Sequence, residues 1–380
     1  MRNLSDSQRR KFLEKKLRVS LKKIGLFSLD PQKIANRNCE NLIGATRVPL
    51  GVAGPLKIKG SYASGNYYLP LATTEGALVA SINRGCKATR LSGGITTLVE
   101  KAGVTRAPVF KVKNLSQAKN LAGWCQKNRG QLKRVAKKSD PYLRLEEIQP
   151  VILGRNVFLR FVFDTREAMG MNMVTLATEK LVALIEAKTK AECVALSGNL
   201  CVDKKPAWLN FLNGRGKKVW AGVQIEKKIV KKVLKTTPEK IAEVVYRKCL
   251  LGSAVAGSLG FNGHFANIVA ALFLATGQDM AHVVEGSLGV TTAEVERIGD
   301  LFFSIYLPDL MVGTIGGGTG LVTQKEALSI LGLGQGKKGE ALKLAEIAGG
   351  AVLAGELSLM AALASGGLVK AHEKLGRGKR

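Results

Sequence analysis

The stretch Val157-Phe158-Leu159-Arg160-Phe161-Val162-Phe163, followed by Met169-Gly170-Met171-Asn172, decides the fold class. The first segment alternates and is rich in aromatic and branched side chains, which reads as a strand. The Met-Gly-Met-Asn turn opens a long helical pattern through Ala187, and Cys193-Val194-Ala195-Leu196 reads as a further strand. On the amino-terminal side, Val109-Phe110-Lys111-Val112 is strand-like, and a Lys-rich helix is expected around Ser116 to Asn128. Strand, helix, strand, helix, strand over about 90 residues is the pattern of a small split βαβ module.

Outside this module the texture changes. Ser5 to Lys23 reads as a basic amphipathic helix capped by Ser5. Asn41 to Pro70 suits loops and short strands, and Thr73-Thr74-Glu75 is expected to open a helix towards Arg90, stopped by Gly93-Gly94. From Ser197 onward the chain is rich in Gly and Ala and reads as mostly helical, with no internal repeat.

The 380 residues, 46% of them hydrophobic, suffice for a substantial core in two domains or one large one. Lys and Arg number 58 against 29 acidic residues, a formal charge of +29 that attracts anions of any kind. Basic pairs such as Lys227-Lys228 and Lys231-Lys232 lie on solvated helical stretches, and no aromatic residues interleave with them as a single-strand-binding groove needs. No nucleic-acid partner is expected. The six cysteines are scattered without a C-x-x-C pair, so neither a disulfide framework nor a zinc site is expected. The amino terminus has no signal-peptide core, and Ile268 to Thr276 and Leu357 to Val369 fall short of the roughly 18 residues of a membrane span. A soluble, cytoplasmic protein without a membrane partner is the expectation.

Several short segments carry chemistry. They are Glu40-Asn41-Leu42-Ile43-Gly44, Pro70-Leu71-Ala72-Thr73-Thr74-Glu75-Gly76, and Glu167-Ala168-Met169-Gly170-Met171-Asn172. Further on come Ser197-Gly198-Asn199 with Asp203-Lys204-Lys205-Pro206, then Gly277-Gln278-Asp279 and Gly313-Thr314-Ile315-Gly316-Gly317-Gly318-Thr319, and last Leu368-Val369-Lys370-Ala371-His372. In order and spacing, from about residue 36 to 377, they resemble the catalytic portion of the hydroxymethylglutaryl-coenzyme A reductase family, in its soluble microbial form and its eukaryote- and archaea-like class.

The resemblance implies an α+β fold: a large, mainly helical domain with an inserted small ferredoxin-like domain. The divisions expected are 1–106, 107–195 for the cofactor-binding insert, 196–356, and a carboxy-terminal helix and mobile tail at 357–380. It also implies a homodimer or higher homo-oligomer, with the active site at the subunit interface and the lysine loop contributed by the neighbouring subunit.

Residue by residue, Glu75 resembles the family's proton donor to the substrate carbonyl. Its ordinary role at a helix start would be to complement the dipole. Asp279 resembles the second carboxylate. Lys204, whose own segment reads as a charged turn before Pro206, resembles the ammonium that stabilises the carbonyl oxygen as hydride arrives. His372 resembles the acid that protonates the departing coenzyme A thiolate, carried on a tail that closes as a lid. Lys204 is thus expected to face Glu75 and Asp279 across a subunit boundary. Arg106, Ser197, Asp203, Lys205, Lys248 and Asn267 match substrate-binding positions, and Ser81, Asn83, Arg84 and Lys87 match the region that contacts coenzyme A. His264 is expected to be structural.

A literal G-x-G-x-x-G at Gly334, Gly336 and Gly339 follows a helical pattern, not a strand, so it is not a dinucleotide fingerprint. The resemblance instead assigns the nicotinamide cofactor to Glu167, Met169, Gly170, Met171 and Asn172 and to Gly316, Gly317, Gly318 and Thr319, where glycines let amides approach phosphate. Core packing is an equally good role for the two methionines. Two departures stand out: the family usually has Asp at Glu167, and Ser139-Asp140-Pro141-Tyr142 lacks the arginine that meets the 2′-phosphate in animal members. Asp164 could accept a ribose 2′-hydroxyl and favour NADH, whereas Lys137 and Lys138 favour NADPH, the expected cofactor. No metal is expected. The reaction implied is reduction of 3-hydroxy-3-methylglutaryl-coenzyme A to mevalonate with two NADPH, as in isoprenoid biosynthesis. Rivals are an NADH-using or oxidative family member and, more remotely, a nucleic-acid-associated protein.

Overall fold

The computed structural model describes residues 4–366. His372 and the rest of the expected carboxy-terminal tail lie outside the described residues.

Among the described residues eleven strands form the framework: β1 (Leu50–Lys59), β2 (Ser64–Ala72), β3 (Ile95–Arg106), β4 (Val109–Lys111), β5 (Arg144–Leu153), β6 (Asn156–Asp164), β7 (Glu192–Ala195), β8 (Arg215–Ile225), β9 (Gly260–Phe261), β10 (Gly289–Val295) and β11 (Leu301–Leu310). The residues that opened the reading form β6 and the Met171–Thr189 helix. In that region the order is β7-β4-β6-β5, every pair antiparallel. The helices Leu115–Lys127 and Arg129–Ser139 join β4 to β5, and Met171–Thr189 joins β6 to β7. These elements share an apolar cluster that includes Phe110, Leu121, Leu159, Phe161, Val174 and Leu181. β6 is buried along most of its length, not on alternate residues, because the other face of the sheet is covered as well.

β3 links this region to the rest. Its first part, Thr96 to Gly103, pairs with β8, and its last three residues pair with β6. Beyond it lies a second sheet, β3-β8-β11-β10-β9, with β1 and β2 alongside. The stretch from Ser197 onward is mostly helical, as expected, but it also carries three long strands that its Gly- and Ala-rich texture concealed.

The Glu340–Ala364 helix, rich in Ala and Leu, crosses this sheet and packs on the Leu78–Leu91 helix. It is long and apolar enough to cross a membrane, which corrects the expectation that no segment would be, and most of it is buried as the central helix of the fold. Two buried glutamates fix it. Glu346 accepts the amides of Ser61 (3.1 Å), Tyr62 (3.0 Å) and Ala63 (2.5 Å) in the β1–β2 turn. Glu356 accepts those of Gly263 (2.8 Å) and His264 (2.6 Å) and the Thr291 hydroxyl (2.8 Å). Three donors on each carboxylate replace the water it lost on burial.

At the amino terminus Ser5 caps Asp6–Leu17 in a capping box, as expected, although the helix ends six residues short of Lys23. The expected helix after Thr73 starts later, at Leu78, so Glu75 stands in the preceding loop and not in a helical first turn.

Candidate active site

The loop between β7 and the Trp208–Asn213 helix bends sharply, with three non-glycine residues at positive φ: Asn199 (63°), Val202 (49°) and Lys204 (57°). For branched Val202 that conformation is costly and persists only if neighbours enforce it. They do. The Val202 carbonyl accepts from the Asn210 amide group at 3.1 Å, the Cys201 carbonyl accepts from Thr105 Oγ1 at 2.8 Å, and the Lys204 amide donates to Glu285 Oε2 at 3.1 Å. The Lys204 ammonium, partly exposed, lies 2.7 Å from Asp279 Oδ2. Both belong to the same chain, so the expectation that a subunit boundary separates Lys204 from Asp279 is corrected.

Behind this pair sits a buried charge network. The Arg215 guanidinium, fully buried, donates to Glu285 Oε1 (2.5 Å), Asp203 Oδ1 (2.9 Å) and Thr105 Oγ1 (2.9 Å), and reaches Met171 Sδ at 3.0 Å. His282, also fully buried, places Nε2 3.1 Å from Asp203 and 3.3 Å from Glu285. Arg106 donates to Thr175 Oγ1 at 2.7 Å and stands 4.0 Å from Asp203. Burial alone would raise the Asp203 carboxyl, but His282, Arg215 and Arg106 outweigh it and hold it well below the usual carboxylate range. Asp279 is likewise held below its usual value: burial raises it, and hydrogen bonds from Lys204 and the Ala281 amide more than compensate. Asp309, buried with Asn210 at 2.7 Å, is pushed well above its usual value by burial and by Glu285. Asp203, His282 and Glu285 present a donor set close enough to share one cation, and Arg215 already supplies that charge.

In front of Lys204 a cleft of about 530 Å³ gathers the separate motifs: Met169 to Met173, Lys204, Gly277-Gln278-Asp279, Gly313 and Ile315 to Thr319. Its walls are joined through backbone. Ala168 and Ile315 form a parallel bridge, and the Thr314 amide donates to the Glu167 carbonyl at 2.8 Å. A Cβ on Gly313 would stand 2.3 Å from the Met169 nitrogen, and one on Gly277 2.3 Å from the Gly318 oxygen, so no side chain fits at these crossings. Gly316 and Gly317 have positive φ and open space beside them, which leaves their backbone accessible.

The family model described as Hydroxymethylglutaryl-coenzyme A reductase matches residues 5–377. The chain belongs to that family. It is 53% identical over 381 residues to a 3-hydroxy-3-methylglutaryl-coenzyme A reductase of Pyrococcus abyssi, covering 99% of this chain and 93% of the relative. It is 54% identical over 375 residues to the one of Methanocaldococcus jannaschii, covering 97% and 92%. Among solved structures, the class II reductase of Streptococcus pneumoniae bound to NADPH aligns with a TM-score of 0.70 over 95% of this chain and 97% of that one, at 18% identity, a likeness of fold. The chain is accordingly a reductase of the mevalonate pathway.

The other family positions fall in several places. Glu75 is exposed, and among the described residues its carboxylate makes no hydrogen bond or ion pair, with Lys204, Asp279 or any other group. Ser197 is exposed with Oγ 3.4 Å from Cys201 Sγ, and Lys205 bonds the Asp203 carbonyl at 3.1 Å. Ser81 and Arg84 are tied to Ser358 of the central helix (2.9 and 3.0 Å), and Asn83 accepts the Gly54 amide at 3.0 Å. Lys87 is exposed on the same helix, and Lys248 is exposed beside Arg247 and Leu363, outside the Lys204 cleft. Asn267 lies in the first turn of Phe265–Thr276, and His264 leans on Glu356 at 3.8 Å, a structural position. Glu167 lies behind the cleft: its carboxylate accepts the amides of Gly339 and Ala341, both at 2.8 Å, and so caps the central helix. Glu340 accepts those of Gly334 (3.1 Å), Gln335 (3.1 Å) and Gly336 (3.0 Å). The amides of the literal G-x-G-x-x-G loop are therefore spent on carboxylates. Asp164, expected as a possible ribose acceptor, is engaged by Lys101 at 2.9 Å.

Arg215, His282, Glu285 and Lys217 were not anticipated. Lys217, fully buried on β8, donates to the Val312 carbonyl at 2.5 Å just before Gly313, and burial pulls its ammonium down to about 8. Nothing in their spacing marks them, because the network joins residues up to 110 positions apart.

Proposed function

We propose that this chain reduces the thioester of 3-hydroxy-3-methylglutaryl-coenzyme A to mevalonate and free coenzyme A, using two NADPH at the Lys204 cleft. The observation that carries the reading is the Lys204–Asp279 pair at the mouth of a cleft walled by Met-Gly-Met-Asn and the Gly-rich 313–319 segment. A nicotinamide dinucleotide fits this lining: Gly316 and Gly317 leave room for close approach by phosphate, and the methionines offer an apolar surface to a flat ring. NADPH supplies the hydrides, two in turn.

The chain's own residues do the rest. Lys204, held by Asp279, stabilises the negative charge that builds on the carbonyl oxygen. Arg106 and Ser197 hold the substrate's carboxylate and hydroxyl, with Asp203, Lys205, Lys248 and Asn267 in support. Arg106 Nε is buried without a hydrogen-bond partner among the described residues, which fits a group awaiting an anion. Ser81, Asn83, Arg84 and Lys87 lie along one helix suited to coenzyme A. Glu75, exposed and unpaired among the described residues, donates a proton at the site of a second copy, so the working unit is a homodimer or larger. His372 protonates the leaving thiolate.

The finer reading of the fold follows. Residues 107–195 form a ferredoxin-like insert that binds the cofactor, a reading supported by the β7-β4-β6-β5 order with helices between, and the enzyme is of the eukaryote- and archaea-like class and cytoplasmic. Engagement of Asp164 by Lys101 removes the acceptor that would favour NADH. Parallel assays with NADPH and NADH test the reading. Two NADPH consumed per mevalonate, with NADH at least about tenfold poorer in kcat/KM, are expected. No thioester reduction with either cofactor would overturn it.

A further inference from the structure

The ring of His282 is fully buried beneath Lys204, and the reaction as described leaves it without a task. It stands among three carboxylates. Nε2 lies 3.1 Å from Asp203 Oδ1 and 3.3 Å from Glu285 Oε1, and Nδ1 lies 3.5 Å from Asp279 Oδ2. The Asp279 oxygen is the one that holds the Lys204 ammonium at 2.7 Å, and the Asp203 oxygen is one that Arg215 holds at 2.9 Å. We infer that His282 is a positioning residue for the reduction, acting through Asp279 and Asp203 to set how tightly Lys204 is held at the cleft. The inference rests on the proposed role of Lys204.

Nδ1 is buried and has no hydrogen-bond partner among the described residues, a state that buried ring nitrogens seldom occupy without cause. The gap to Asp279 is a few tenths of an ångström beyond a good hydrogen bond. A small shift of either group closes it. The neutral ring, with its proton on Nε2, donates to Asp203 and leaves Asp279 wholly to Lys204. With the ring proton on Nδ1 instead, the ring donates to Asp279 and competes with Lys204 for the same oxygen, which frees the ammonium to meet a developing oxyanion.

The surrounding charges make the ring responsive to this balance. Asp279 and Glu285 face it from its own segment, and Asp203 with Lys204 from the loop after β7. Arg215 on β8 and Arg106 at the end of β3 neutralise the far sides of Asp203 and Glu285, and Asp309 on β11, its carboxyl raised by burial, lies behind the network. The carboxylates at hand outnumber what the two arginines can satisfy alone. Removal of the ring leaves Asp279 bound to Lys204 with nothing to compete.

The test compares His282→Leu and His282→Gln in the full chain, with kcat and both KM values measured and far-UV circular dichroism as a check of folding. His282→Leu is expected to lose about 100-fold in kcat, with KM for thioester and NADPH within about threefold, the scale of a misplaced reacting group. His282→Gln, which can still donate to a carboxylate, is expected to recover most of that kcat. A wild-type kcat in His282→Leu, or a kcat in His282→Gln no higher than in His282→Leu, overturns the inference. If the Leu variant does not fold, His282→Met, which also lacks a donor, takes its place with the same two outcomes. Lys204→Ala, assayed alongside, separates the two claims: if it stays active the site reading fails, whereas if it is inactive and His282→Leu is wild type, only the positioning role falls.

Discussion

The Gln278 side chain holds Gly313 from both sides, accepting its amide at 2.9 Å and donating to its carbonyl at 3.0 Å. The same side chain donates to the Thr276 carbonyl at 3.2 Å. One buried amide group therefore ties the end of the Phe265–Thr276 helix to the start of the Gly-rich segment, and Asp279 is the next residue. Lys217 on β8 reinforces the same segment by donating to the Val312 carbonyl. The cleft is in this sense a construction of backbone held by a few polar side chains.

Gln278→Leu should strand both backbone groups of Gly313 in a buried place, at about 1–3 kcal/mol for each unsatisfied group. We expect KM for NADPH to rise about tenfold with kcat less affected. Steady-state kinetics with cofactor varied at saturating thioester provide the check, and an unchanged KM would dissociate the Gly-rich segment from cofactor binding.

Arg215→Leu should be the most damaging single change to stability. It leaves Asp203 and Glu285 facing one another in a buried place with His282 alone to compensate, and breaking a buried pair this way costs about 3–5 kcal/mol. Urea unfolding at neutral pH reads the difference, and a loss below about 1 kcal/mol would contradict the network.

Much of this was open to the sequence, and the remainder was closed for identifiable reasons. β6 and the Met171–Thr189 helix declare themselves through the aromatic run 157–163 and the apolar helix behind it. β5 does not, because Arg144, Glu146, Glu147 and Pro150 make Arg144–Leu153 look like a polar connection, although Leu145 and Ile148 are buried, as is Leu143 just before the strand. β8 begins Arg-Gly-Lys-Lys, which reads as solvated surface, yet Arg215 and Lys217 are buried because the residues that pair with them arrive from β3, β11 and the 279–285 segment. The members of the cleft were legible as motifs. Their convergence was not, since Met169, Lys204, Asp279 and Gly316 lie far apart in the chain. Glu75 was placed in a helix that begins three residues later, at Leu78.

Lys217 links stability to pH with a definite sign. Its folded-state value of about 8 lies below the ordinary 10.5, so between these the unfolded chain binds the extra proton. A depressed group contributes stability that is present above the unfolded value and lost as pH falls through the folded one. Stability from this residue therefore rises from pH 8 towards 10.5. Urea midpoints at pH 7.5 and 9.5, values chosen to bracket roughly that window, should show a larger alkaline gain in the wild type than in Lys217→Met. Equal gains would show that the lysine is not buried as described.

The central claim is that the Lys204 ammonium, seated against Asp279, stabilises the oxygen that becomes negative on reduction of the thioester. Single-turnover oxidation of NADPH by Lys204→Met, with cofactor affinity measured on the same sample by fluorescence, tests it most directly. The account predicts affinity within about twofold of wild type and hydride transfer slower by at least about 100-fold, the size expected when a preorganised charge is removed. Hydride transfer within about threefold of wild type, with the thioester still reduced, would contradict it.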